Sequence, residues 1–257
     1  MITGGASGIG LKLGELLAAR GEDLAILDRV LDPDALARLR AAGPGRVASA
    51  EVDVRDAAGV AAAVEAVVAE VGAPRLVVNS AGIQNAKTFD ELTEDEFRAI
   101  VEINLIGSRN VAAATLGHLE ATRGRLVLVA SLAGLVANYG YTGYCASKYG
   151  VVGLGEVLRL EYRPRGVAVS VVCPPEVETP MVWEERRRQP PPSKALKELA
   201  GTIDVDRAAR DILAGIDRGT FLIIPTARAK AAVGLARFLP KPLSQAVADR
   251  VVARALR

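Results

Sequence analysis

Short apolar runs alternate with longer amphipathic stretches along almost the whole chain. Runs at residues 24–27, 47–52, 76–79, 126–130, 167–172 and 221–224 are too short for helices and lack a regular polar face, as expected of strands buried on both sides. Between them, residues 57–71 and 94–116 show helical amphipathicity, and residues 11–20 set Leu13, Leu16 and Leu17 on one side. Strands separated by helices predict an α/β fold: one doubly wound parallel sheet with helices on both faces and no second domain or internal repeat.

The alternation begins on a glycine-rich turn, Thr3-Gly4-Gly5-Ala6-Ser7-Gly8-Ile9-Gly10, which leads into the helix at 11–20. Glycine lets the backbone turn sharply and approach a diphosphate, while the helix start behind it offers free N–H groups and a positive dipole end. Asp28 closes the run at 24–27 and follows Gly10 by 18 residues, close to the spacing of an acid that binds the adenosine ribose hydroxyls in a Rossmann-type fold. A carboxylate there repels a 2′-phosphate, so the sequence favours NAD over NADP, with the adjacent Arg29 the one group that argues the other way. Asp32 before Pro33 reads instead as a helix cap.

A second pattern carries chemistry. Ser131 precedes Tyr144 by 13 residues, and Lys148 follows Tyr144 by four. On a helix, side chains four apart share a face, which sets an ammonium beside the phenol. A tyrosine ordinarily ionises at a pKa of about 10, and a neighbouring positive charge favours the phenolate. Ser131 is placed to hold a carbonyl or alcohol oxygen where Tyr144 exchanges its proton.

Together these motifs resemble the short-chain dehydrogenase/reductase family over nearly the whole length. The family's Thr-Gly-x-x-x-Gly-x-Gly falls on Thr3, Gly4, Gly8 and Gly10, and its adenine-contacting acid on Asp53 in Val52-Asp53-Val54. Its Asn-Asn-Ala-Gly turn is similar to Asn79-Ser80-Ala81-Gly82, with one change, and its helix asparagine falls on Asn104. The resemblance implies a catalytic tetrad of Asn104, Ser131, Tyr144 and Lys148, with Asn104 holding a water that links Lys148 to solvent and Lys148 also binding the nicotinamide ribose. It implies a dinucleotide bound by Thr3, Gly4, Ser7, Gly8, Ile9, Gly10, Asp28, Arg29, Asp53, Val54, Asn79, Ala81, Gly82, Tyr144, Lys148, Pro174, Val177 and Thr179. Only Met1 and Ile2 precede the glycine turn where the family has a full strand, which leads us to expect residues upstream of Met1.

The segment Cys173-Pro174-Pro175-Glu176-Val177-Glu178-Thr179-Pro180-Met181 corresponds to the family's loop over the nicotinamide, with Pro175 where glycine is usual. Proline fixes its backbone angle and removes an N–H, so a stiffer loop is expected. This variant resembles the loop of 3-ketosphinganine reductases, which reduce a lipid ketone with NADPH. Ser131, Tyr144, Pro175, Met181 and Trp183 are therefore candidate substrate contacts, the last two as apolar walls of a lid that runs to Leu199. The charge run Glu184-Glu185-Arg186-Arg187-Arg188 reads as a solvated helix face.

Composition sets the outer limits. With 257 residues, 50% of them hydrophobic, the chain can bury a large core, and a net charge of +2 gives no footprint for nucleic acid. Cys145 and Cys173 cannot make a disulfide framework and read as packing residues; with a single histidine, His118, there is no zinc constellation and no Ser-His-Asp hydrolase. No apolar run is long enough to span a membrane, and the start lacks a signal peptide, so a cytoplasmic protein is expected.

Residues 226–257 form a basic tail: Arg228, Lys230, Arg237, Lys241, Arg250, Arg254 and Arg257 stand against Asp249 alone, a net of +6 that leaves −4 for the remainder. Two short amphipathic helices broken around Pro240 and Pro242 are expected there, suited either to packing against the body or a partner subunit or to peripheral contact with a membrane. The apolar stretch 151–160 is core or a subunit seam, and the family resemblance implies a homodimer or homotetramer. The whole chain, 1–257, then reads as one domain, with a nucleotide-binding part to about 130, a catalytic and substrate part at 131–225, and the tail. The function expected is an NAD-dependent interconversion of a secondary alcohol and a ketone on a small, apolar or lipid-like substrate. The alternatives are a non-catalytic dinucleotide sensor or scaffold and an NADP-dependent lipid ketone reductase.

Overall fold

The structure, a computed structural model, describes residues 1–257, the side chains of Pro180 and Lys241 excepted. The first half alternates as the pattern predicts: β1 (Ile2–Thr3), α1 (Gly8–Ala18), β2 (Leu24–Asp28), α2 (Pro33–Ala41), β3 (Val47–Glu51), α3 (Ala57–Val71) and β4 (Leu76–Asn79). There follow α4 (Glu94–Val101), a π-helical turn (Glu102–Ile106), α5 (Gly107–Thr122), β5 (Arg125–Val129), α6 (Thr142–Tyr162) and β6 (Ala168–Val172). The last third holds β7 (Glu176–Glu178), α7 (Pro180–Arg186), α8 (Pro191–Ala200), β8 (Thr202–Asp204), α9 (Val205–Asp217), β9 (Leu222–Ile223), α10 (Ala227–Phe238) and α11 (Lys241–Ala255).

Local chemistry sets several of these ends. Asp32 accepts the Asp34 N–H and Pro33 opens α2, as expected from the sequence; Asp56 caps α3 through the Ala58 and Gly59 N–H groups. Thr93 and Glu96 cap α4 reciprocally.

Seven strands form one parallel sheet in the order β3-β2-β1-β4-β5-β6-β9. Register aligns Val77, Leu126 and Val169 in a row across β4, β5 and β6, and all three join the core under α3, α5 and α6. Their chain neighbours Val78 and Val127 point the other way, into the core beneath α1, α2 and α9. Each fully buried Leu or Val contributes about 1.5–3 kcal/mol, which is why these strands read as unbroken apolar runs. β7 and β8 pair separately as a small parallel sheet that the pattern does not predict, since each has a single buried residue, Val177 and Ile203.

β1 lies between β2 and β4, and the chain moves outward from it in both directions. Crevices for ligands form at such a switch point, at the carboxyl ends of the strands. The two-residue β1 pairs on both sides, Ile2 with Ile26 and with Val78.

Candidate active site

The loops at the carboxyl ends of β1 to β6 open into one cavity of about 850 Å³. Its nucleotide end is shaped by glycine. Gly4 has φ +63°, and a Cβ there would lie 2.7 Å from the Ala81 nitrogen; at Gly10 it would lie 2.1 Å from the Gly4 carbonyl oxygen. Both glycines are therefore needed for the turn to close against the loop after β4. Ser7 sits at the N-cap of α1 without capping it through its side chain. Asp28 faces the cavity with Oδ2 accepting the Ala6 N–H at 3.0 Å and Oδ1 its neighbour Arg29 N–H at 2.8 Å. Each oxygen keeps a lone pair for a hydroxyl donor. Asp53 lines the same end, paired with Arg55 at 2.6 Å, and the Arg55 hydrogen bond holds its carboxyl below the usual range. The residues present thus fit a dinucleotide: a turn without side chains, an open helix start and a carboxylate at the strand end.

Three of the predicted contacts do not reach the cavity. Thr3, Gly10 and Asn79 lie behind its wall. The Thr3 hydroxyl donates to Asn79 Oδ1 at 2.5 Å, and Asn79 Nδ2 donates to Ser108 Oγ at 2.7 Å, so this buried chain braces the turn. Gly4, Ser7, Gly8, Ile9, Arg29, Val54, Ala81, Gly82, Pro174, Val177 and Thr179 do line the cavity.

At the centre stand Ser131, Tyr144 and Lys148. Ser131 follows β5, and its Oγ accepts the Ala133 N–H at 3.1 Å. Tyr144 and Lys148 are one turn apart on α6, with the ammonium 5.6 Å from the ring centroid. Lys148 is buried and donates to the Val129 carbonyl at 2.9 Å. Asn104 sits in the π-helical turn and does not face the cavity: Nδ2 donates to the Ile83 carbonyl at 2.9 Å and to Ser147 Oγ at 3.0 Å, while Oδ1 accepts the Ile83 N–H at 2.8 Å. Ser147 in turn donates to the Tyr144 carbonyl at 2.8 Å. Asn104 therefore clamps the loop after β4 to the catalytic helix. Ser147 is a positioning residue that the sequence reading missed, although a serine one turn after Tyr144 is a natural partner for its carbonyl.

One electrostatic expectation is corrected. Tyr144 is half-buried overall, but its hydroxyl lies deep, and burial pushes its pKa up to about 12 despite a hydrogen bond with Ser131. Lys148 does not reverse this; burial lowers its own pKa to about 8, which still leaves it charged at pH 7. In this state the phenol is a held proton donor.

The substrate end differs in kind. Pro175 and Met181 line the cavity as expected, but Trp183 does not: it is 55% exposed on α7, pointing away. The charge run is only partly solvated, because Glu185 is buried and bonds Lys197 at 2.9 Å. Lys197 also reaches Glu176 at 2.9 Å, and Arg186 pairs with both Glu176 and Glu178. Burial raises the Glu176 carboxyl, but Lys197 and Arg186 together pull it below its ordinary value; at Glu185 burial wins and the shift is upward. Lys197 lies 4.7 Å from the Tyr141 ring centroid, and Tyr141 meets Tyr144 edge-on at 5.9 Å. No local sequence signal marks Lys197, which is 53 residues beyond Tyr144. Beyond it the wall is apolar: Val136 and Leu199, then Leu235, Leu239 and Val247 from the tail helices. Among the described residues no helix is long and apolar enough to cross a membrane.

Residues 1–190 match the family model described as short chain dehydrogenase. The chain is 32% identical over 228 residues to the 3-dehydrosphinganine reductase TSC10B of Arabidopsis thaliana, covering 86% of this chain and 68% of that protein. It is 37% identical over 207 residues to a D-threitol dehydrogenase of Mycolicibacterium smegmatis, covering 79% and 78%. Its fold superposes on a short chain dehydrogenase from Mycobacterium paratuberculosis bound to NAD with a TM-score of 0.79, at 25% identity over 90% of this chain and 96% of that one. The chain belongs to the short-chain dehydrogenase family and is an oxidoreductase acting on alcohol or ketone carbon.

Proposed function

We propose that the protein interconverts a secondary alcohol and a ketone with NAD(H), on an apolar substrate, and that Tyr144 carries the proton. The observation behind this reading is that Tyr144, Lys148 and Ser131 open into the same cavity as the glycine turn and Asp28. When bound, the nicotinamide supplies or accepts the hydride. Tyr144 gives its proton to the ketone oxygen during reduction and takes it from the hydroxyl during oxidation. A phenol held at about 12 suits the first role at neutral pH. Ser131 donates a hydrogen bond to the same oxygen, Lys148 sets the charge beneath the ring and binds the ribose, and Asn104 holds the helix in register. Asp28 supports NAD over NADP, as does likeness to a relative bound to NAD. Arg29, which also faces the cavity, and a relative named for 3-dehydrosphinganine support a second reading, an NADP-dependent reductase of a long-chain ketone. Cytoplasmic residence and a homodimer or homotetramer belong to the proposal; Tyr149, Val157 and Leu160 give α6 an exposed apolar face for a subunit seam.

The test follows NADH and NADPH absorbance with ketones and secondary alcohols of increasing chain length. NADH is expected to be preferred, with kcat/KM rising with chain length. Tyr144→Phe should lower kcat by about 10²–10⁴-fold while a fluorescence titration shows NADH binding unchanged. Retained turnover would remove Tyr144 from the chemistry, and a wild type that binds NADH but turns over nothing would indicate a sensor.

A further inference from the structure

We propose that α10 and α11 form a docking surface for an anionic lipid bilayer, which sets the apolar mouth of the cavity against the membrane. The tail leaves large apolar side chains uncovered: Phe238 is 90% exposed, Leu235 59%, Leu243 55% and Val247 48%. Leu235 and Val247 also line the cavity, so they stand at its mouth, with the half-exposed Leu199 of α8. Phe238 is the next turn after Leu235, and Leu243 the turn before Val247. The mostly apolar lining, in which Arg228 and Ser244 are the polar members from the tail, thus continues outward onto the surface.

Charge selects the occupant. On α11, Leu243, Val247, Arg250 and Arg254 follow at i, i+4, i+7 and i+11, one helical face that is apolar at its start and basic beyond. Arg237, Arg250 and Arg254 are exposed, and among the described residues no carboxylate pairs with them. The tail carries +6 and the remainder −4, so a negatively charged surface attracts the tail in preference to the rest of the molecule. A second copy is a poor occupant, because a two-fold contact would bring two such tails together. Apolar insertion together with basic attraction is the pair of signals that interfacial helices use.

The purpose of this surface rests on the apolar-substrate reading, but its test needs no turnover. The full chain is floated with vesicles of phosphatidylcholine alone and of phosphatidylcholine with phosphatidylserine. It should rise with the mixed vesicles at low salt, weaken as salt is added, and lose about fivefold in partitioning for each charge removed by Arg250→Gln or Arg254→Gln. Phe238→Asp combined with Leu243→Asp, both outside the cavity, should abolish flotation while thermal melting and NADH binding stay at wild-type values. No flotation of the wild type with mixed vesicles, or equal flotation of the double variant, overturns the proposal. So does a wild-type dimer that the double variant splits in sedimentation velocity while neither form floats. A wild type that floats but reduces no ketone leaves the docking surface standing and the proposed function fallen.

Discussion

The two ends of the cavity are built by different means. At the nucleotide end the walls are backbone: the Gly4 and Gly10 turn closes on its neighbours, and the Thr3, Asn79 and Ser108 chain is buried behind it. At the substrate end the walls are side chains, joined by the Glu176, Arg186, Lys197 and Glu185 ion pairs and by half-exposed apolar residues such as Met181 and Leu199. A backbone wall admits few sequences and fixes one ligand shape. A side-chain wall can be rebuilt one residue at a time, so the second end is the one that substitutions can reshape without disturbing the turn.

The comparison is probed most severely at its junction, by Lys148→Met. Removing the charge beneath the ring should lower kcat by about 10²–10⁴-fold yet raise stability at pH 7 by about 1–3 kcal/mol, because a buried ammonium without a carboxylate partner costs more than a thioether. The sign follows from burial lowering the folded-state pKa of Lys148 to about 8 from 10.5. Between those values the unfolded chain holds the proton more tightly, so the cost is full below pH 8 and is relieved as pH rises towards 10.5. Thermal melts of both proteins from pH 7 to 10 should therefore converge; parallel curves would show that Lys148 is not buried as a charge. The Tyr144 contribution has the opposite sign and a later window, being lost as pH rises from 10 to about 12.

Gly10→Ala strikes the backbone wall. Its Cβ would fall 2.1 Å from the Gly4 oxygen, a clash that overpacking data put at about 1–3 kcal/mol, and the displaced turn should weaken NADH by about tenfold. Melting and fluorescence titration measure both, and unchanged values would mean that the turn is not closed as described.

Lys197→Met should have the smallest effect, confined to the side-chain wall. Glu185 loses its ion-pair partner and α7 and α8 loosen, so substrate KM should rise about 3–10-fold with kcat changed less, while Lys197→Arg recovers most of the loss. A fall in kcat alone would instead place Lys197 in the chemistry.

How far each region could be read from sequence follows the same division. Strands buried on both faces must be apolar throughout, so Leu76–Asn79 appears with the bounds expected, and helix α3 likewise. The glycine turn is legible because only glycine closes it. Ion pairs between α7, α8 and β7 leave no periodic trace, so Glu185 reads as solvated and Lys197 not at all. Trp183 reads from its place in the lid segment as an apolar wall, but residue type does not reveal which side of a short helix is covered. The direction of the Tyr144 shift was missed because the spacing gives the distance to Lys148 but not the burial that they share.

Residues 94–116 read as one helix, yet the π-helical turn at Glu102–Ile106 interrupts it and carries Asn104. Such a turn is one residue longer than the ladder on either side. Deleting that residue would heal the helix and swing everything before it through about 100°, tearing Asn104 from Ile83 and Ser147 together. The alignment of a loop with a distant helix is thus stored as a count of amino acids, a form of information that substitutions leave intact and that a single lost codon erases.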